Sequence, residues 1–169
     1  VIDPIDGTIG FARGIPLFER NTITTNGSVP LVDFGPEVLY VVSLDGPETQ
    51  NDRIRGDGVY ARVMRNLERL PEGFSSPVQV QCAVTAVNQD HLEELVVALQ
   101  STRVGWMTFS FYVPRPGERG GNAWPDNHAR LGAVREVERL KQAYPRFVRN
   151  HARSLALMAP GEAERVTAD

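Results

Sequence analysis

Val41-Val-Ser-Leu-Asp-Gly-Pro-Glu-Thr-Gln-Asn-Asp-Arg-Ile-Arg-Gly56 is the stretch that decides the fold. Val38 to Leu44 is a near-continuous apolar run, as expected of a buried parallel strand. It closes on Ser43 and Asp45, breaks at Gly46-Pro47 and runs into a charged loop. In parallel α/β sheets, ligands bind at the carboxyl ends of strands, where the chain turns and polar groups converge. Ser43 and Asp45 stand at such a point.

Outward from this stretch, strand and helix signals alternate. Upstream, Asn21 to Thr25 is β-rich and stops at the turn pair Asn26-Gly27. Downstream, Gly58 to Leu70 sets Val59, Val63, Leu67 and Leu70 on one helical face. Val78 to Ala86 reads as the next strand. Asp90, three residues before Glu93, has the form of a capping box for a helix with the stripe Leu92, Leu95, Val96 and Leu99. Trp106 to Val113 reads as a strand, Pro114 to Pro125 as a loop, and Asp126 to Tyr144 as a long amphipathic helix. Strands alternating with helices predict right-handed crossovers and a parallel sheet.

The strands are apolar on one face only. Val78, Val80, Cys82 and Val84 alternate with Gln79, Gln81, Ala83 and Thr85, and Met107, Phe109, Phe111 and Val113 with Trp106, Thr108, Ser110 and Tyr112. Helices on the apolar face would leave Ser43, Asp45, Gln81, Thr85 and Ser110 on the other. That pattern suits strands lining a cofactor cavity and equally a sheet with one face open to water.

Composition narrows the function classes. The 169 residues are 41% hydrophobic and 23% charged, enough for one domain with a real core. Eighteen basic and twenty-one acidic residues give a net charge of −3, so no basic footprint for nucleic acid is expected. No apolar run approaches the roughly 20 residues of a membrane span. A single cysteine forms no internal disulfide, which makes the cytoplasm the expected compartment. The chain opens at Val1 on what reads as a strand in progress, which suggests a fragment.

From Asn21 to Asp169 the sequence resembles the later part of a radical S-adenosylmethionine core. The resemblance rests on Thr25-Asn26-Gly27, Ser43-Leu44-Asp45-Gly46-Pro47, Asn51-Asp-Arg-Ile-Arg-Gly56, the helix Gly58 to Leu70, and Val84-Thr-Ala-Val-Asn88. Pro114-Arg-Pro-Gly117 and Leu140-Lys-Gln-Ala-Tyr-Pro145 fit the same branch. It implies an incomplete (β/α)6 TIM-like barrel that holds S-adenosylmethionine (AdoMet) against a 4Fe-4S cluster and cleaves it to a 5′-deoxyadenosyl radical. Carried over, Ser43, Asp45 and Asn88 would hydrogen-bond the cofactor, and Arg55 would pair with its carboxylate, which a guanidinium matches bidentately. Each has a plainer reading: Asp45-Gly46-Pro47 as turn chemistry, Asn88 and Asp90 as helix caps, Arg55 as a solvated charge. The family's cysteine triad and Gly-Gly-Glu-Pro segment are missing, and Cys82 reads as core. The resemblance therefore implies a truncated domain, inactive as an isolated chain.

Val1-Ile-Asp-Pro-Ile-Asp-Gly-Thr-Ile-Gly-Phe-Ala-Arg-Gly-Ile-Pro-Leu-Phe18 is similar instead to the metal-binding signature of the inositol monophosphatase family. That resemblance makes residues 1–20 a segment apart from the 21–169 domain. It implies Mg²⁺ held by Asp3, Asp6 and the Ile5 carbonyl, with Gly7 and Thr8 on a phosphate. Asp3 and Asp6 have a plainer reading as a strand end and Asx turn. Trp124-Pro-Asp-Asn-His-Ala129, the nearest candidate for that family's downstream motif, also reads as the loop and N-cap of the last helix. A non-catalytic α/β module completes the set of readings.

Overall fold

The computed structural model describes residues 21–114 and 120–158. Four strands, β1 (Asn21–Thr25), β2 (Val38–Ser43), β3 (Val78–Val84) and β4 (Trp106–Phe111), form one sheet in the order β1-β2-β3-β4. Every adjacent pair is parallel. Each strand thus lies beside its successor in sequence. When all crossovers share one hand and always step the same way, they fall on the same face of the sheet. A doubly wound sheet would instead reverse its order.

The core confirms the one-sided arrangement. Tyr40, Val42, Leu44, Val80, Cys82, Val84, Met107 and Phe109 pack on that face against the helices α2 (Val59–Glu68), α3 (Leu92–Gln100) and α4 (Asn127–Ala143). The helices contribute Val63 and Leu67, then Leu92, Leu95, Val96 and Leu99, then Ala133, Val137 and Leu140. Burial alternates along β3, with Gln79, Gln81 and Ala83 only half-buried between fully buried neighbours. On that polar face Gln79 Nε2 donates to Thr108 Oγ1 at 2.7 Å. The fold is the expected α/β arrangement of parallel strands with outer helices, the pattern of a singly wound barrel wall.

Three elements differ from the expectations. The charged stretch after Gly46-Pro47 is not a loop but a helix, α1 (Glu48–Arg55), whose only buried residue is Asn51. Its apolar content is too low to give a periodic stripe. The Asp90/Glu93 capping box does not form: a 3-10 turn, Gln89–His91, precedes α3, and His91 at the N-cap makes no side-chain cap. Glu93 is engaged elsewhere, with Arg139 at 2.6 Å and the Tyr144 hydroxyl at 2.9 Å. After α4 the chain returns to the free edge of β4 in parallel, bridging Met107 and Val148. There the Asn150 amide acts as a strand, accepting the Phe109 N–H at 2.9 Å and donating to the Phe109 carbonyl at 2.7 Å. A short helix, α5 (Ala152–Ala156), follows.

Candidate cofactor-binding site

The four residues expected from the sequence to bind the cofactor, Ser43, Asp45, Arg55 and Asn88, lie at or just beyond the carboxyl ends of β2 and β3. Ser43 ends β2 on the polar face, opposite Gln81 in register. The ladder closes with the Leu44 N–H donating to the Gln81 carbonyl at 3.1 Å, and then the backbones part. Asp45, 3% exposed, continues the pairing with its side chain. Its Oδ1 accepts the Ala83 N–H at 2.7 Å, and its Oδ2 accepts Arg55 Nε at 2.7 Å. A buried carboxylate is tolerable only when its charge is paired and its lone pairs are bonded, and both conditions hold.

Asn88 completes the join from the β3 side. Fully buried, it donates through Nδ2 to the carbonyls of Asp45 at 2.7 Å and Ala83 at 2.8 Å, while Oδ1 accepts the Thr85 N–H at 2.7 Å. Gly46 is required here: at φ 137° a Cβ would lie 3.0 Å from Gln50 Cβ and 3.5 Å from Asn88 Cβ. Asp45 and Asn88 therefore lie in the site as its frame, with their polar atoms bonded to backbone and to Arg55.

Two groups remain open. Arg55, whose side chain is 26% exposed, is tethered by Nε, and its Nη1 and Nη2 have no partner among the described residues. The Ser43 hydroxyl, half-buried, likewise has none among them. A fixed guanidinium whose Nη fork is not engaged by the described residues offers two parallel donors to a carboxylate, and a hydroxyl can donate or accept.

Sequence reading missed Asn51 and Asp52 as site residues. Asn51 Oδ1 accepts the Asp45 N–H at 2.9 Å, and Asp52 accepts the N–H groups of Gly58 at 2.6 Å and Tyr60 at 2.8 Å, capping α2. Partial burial pushes the Asp52 carboxyl up, but the Tyr60 N–H, the Asn51 amide and the Gly58 N–H outweigh it and hold it below its ordinary range. The only signal in the sequence was an Asn-Asp pair in a polar stretch.

Metal chemistry finds no support in the described residues. No group of three or more His, Cys, Asp or Glu side chains is placed to hold a metal among them. Cys82 is fully buried on the helix side of β3, and burial, reinforced by the Asp45 charge, pushes its thiol well above the ordinary value. A thiol so disfavoured as thiolate is a poor cluster ligand, and a 4Fe-4S centre needs several. The residues present do not fit that group.

Asp3, Ile5, Asp6, Gly7 and Thr8 lie outside the described residues. Trp124-Pro-Asp-Asn-His-Ala129 has its plainer role: Asp126 caps α4 by accepting the Ala129 N–H at 2.7 Å, and Trp124 Nε1 donates to Gln89 at 2.7 Å.

No protein-family model matches the chain, and no curated protein matches it. The phosphatase resemblance is therefore unsupported. Solved structures do match. Native anSMEcpe, solved with bound AdoMet and a Kp18Cys peptide, is similar over 76% of this chain and 40% of its own, at TM-score 0.60 and 16% identity. Streptococcus suis SuiB bound to S-adenosylmethionine is similar over 83% of this chain and 35% of its own, at TM-score 0.62 and 15% identity. Both are radical S-adenosylmethionine enzymes. The chain thus spans about two fifths or less of the structures it matches, and what it shares with them is the fold: parallel β/α units of a TIM-like barrel.

Proposed function

We propose that this chain is the AdoMet-binding part of a radical S-adenosylmethionine barrel. The observation that carries the reading is Arg55, fixed by its Nε on buried Asp45 with no partner for its Nη fork among the described residues, together with the Ser43 hydroxyl at the end of β2, which has none among them either. On this reading Arg55 takes the cofactor's carboxylate and Ser43 bonds its ribose or amino-acid portion, while Asp45 and Asn88 hold the frame. AdoMet, when bound, supplies a sulfonium activated for carbon–sulfur cleavage. This chain's own residues do not supply the cluster that would reduce it, so the isolated chain binds the cofactor without turning it over. Residues 21–169 form the working domain, with residues 1–20 a separate segment.

Calorimetric titration of the full chain with AdoMet tests the reading. Saturable binding that falls at least tenfold in Arg55→Gln, and by less in Ser43→Ala, is expected. No heat with the wild-type protein would overturn it and leave a non-catalytic α/β module.

A further inference from the structure

Asn51 and Arg55 stand one turn apart on α1, and both take hold of Asp45. Asn51 Oδ1 accepts the Asp45 N–H at 2.9 Å, and Arg55 Nε donates to Asp45 Oδ2 at 2.7 Å. Residues i and i+4 share a helix face, so the two grips belong to one rotational setting of α1. What fixes that setting is unusual. A surface helix is ordinarily oriented by an apolar stripe, but the only buried residue of α1 is Asn51, with no exposed surface.

The other end of the Asn51 amide is held as well. Its Nδ2 donates to Asp52 Oδ1 at 3.2 Å, and Asp52 is bonded to the first turn of α2 through Gly58 and Tyr60. One buried amide therefore joins the end of β2 to the start of α2. Without its acceptor the Asp45 N–H is unsatisfied, and α1 loses its only buried anchor. A residue's step of rotation is about 100° and would carry Arg55 off Asp45.

We propose that Asn51 is a positioning residue for Arg55: it orients α1 so that Arg55 is held on Asp45 with its Nη fork directed to a ligand carboxylate. The ligand part of this statement rests on the reading that Arg55 binds the AdoMet carboxylate. Asn51 itself touches no ligand. Its loss acts on the recognition of one functional group, because the remainder of the cofactor meets other residues.

The test uses two readouts on the full chain, with Asn51→Ala and, as the milder change, Asn51→Ser, each confirmed folded by circular dichroism. Without ligand, solvent exchange of the Arg55 Nε–H, followed by ¹⁵N NMR, should quicken about tenfold in either variant as the bond to Asp45 opens. With ligand, wild type should prefer AdoMet to decarboxylated AdoMet, and the variants should lose most of that preference while binding the decarboxylated compound nearly as before. Unchanged Nε–H exchange would overturn the proposal, as would equal weakening toward both compounds, which is what general loosening produces. Quickened exchange in the variants together with a wild type that does not distinguish the two compounds would uphold the positioning role and remove the carboxylate reading instead.

Discussion

Asn88 Nδ2 lies 2.7 Å from the carbonyl of Asp45, across 43 residues of sequence, and this bond closes the carboxyl end of the sheet between β2 and β3. The same amide serves the Ala83 carbonyl and the Thr85 N–H, so one side chain replaces a rung of ladder where the strands diverge. Beyond the last backbone rung, the frame of Asp45, Ala83, Thr85 and Asn88 thus stays bonded through side chains.

Asn88→Ala should therefore act first on stability. It leaves two carbonyls and one N–H buried without partners, at about 1–3 kcal/mol for each group left fully unsatisfied. Allowing for relaxation, a loss of roughly 2–4 kcal/mol is expected, read as a lower denaturation midpoint at unchanged slope. Ser43→Ala should stay within about 0.5 kcal/mol of wild type, since its hydroxyl bonds nothing in the frame.

Arg55→Gln should weaken AdoMet and also destabilise the fold. Removing the guanidinium leaves the Asp45 carboxylate, 4% exposed at its side chain, with only the Ala83 N–H. Partial exposure of Arg55 screens the pair, so the expected loss is about 1–3 kcal/mol rather than that of a fully buried ion pair. Arg55→Lys should recover stability better than binding, because an ammonium lacks the planar fork. Parallel melts and titrations separate the two.

Gly27 and Gly58 make a matched pair for the backbone. Both have positive φ, 68° and 71°, but a Cβ at Gly27 would sit 2.7 Å from Val42 Cγ1 and 3.1 Å from Val63 Cγ1, whereas at Gly58 it meets nothing within 4 Å. Gly58→Ala should cost about 1 kcal/mol from the left-handed conformation alone. Gly27→Ala should cost roughly 2–4 kcal/mol, since overpacking adds to it. Equal melting shifts for the two would contradict this packing of the β1–β2 connection.

Asp33 gives a pH signature remote from the site. Its carboxylate accepts the N–H groups of Gly35 at 2.9 Å and Ser75 at 2.8 Å and also the Ser75 and Ser76 hydroxyls, joining two loops 42 residues apart. The Gly35 N–H, then that of Ser75, hold its carboxyl well below the ordinary carboxylate range. A depressed folded-state pKa means that the contribution is complete above the unfolded value near 4 and disappears as pH falls through the folded one. The melting-temperature gap between wild type and Asp33→Asn should be constant from pH 5 to 8 and narrow below about pH 4.

Iron and sulfide reconstitution of the isolated chain should give no stoichiometric 4Fe-4S absorption, and Cys82→Ala should leave the spectrum unchanged. A cluster spectrum that disappears in that variant would show that Cys82 leaves the core.

Most strands and the long helices were legible in the sequence because burial leaves a period. Val78, Val80, Cys82 and Val84 alternate, and Leu92, Leu95, Val96 and Leu99 recur at helical spacing, so the faces could be assigned before any coordinates. α1 was not legible: its single buried residue is polar, and one Asn in a charged segment carries no period. The fifth parallel segment was hidden for a related reason, since a lone bridge at Val148 and a side-chain surrogate at Asn150 leave too short a run to register.

The sequence by itself determined a parallel α/β sheet with one apolar face, and it put Ser43, Asp45 and Asn88 near strand ends and Arg55 in the charged stretch that follows, because local pattern reports which side of an element is buried and where it stops. Only the tertiary structure decided which of them remain open. Whether the Asp45 carboxylate faces a ligand or the Ala83 N–H depends on how β2 and β3 end side by side, and whether Arg55 is solvated or tethered depends on the rotation of α1. Those are contacts between residues 10 and 38 positions apart. A hydrogen bond requires distance and direction, and neither is encoded in residue type or spacing until register and crossing have brought the partners together.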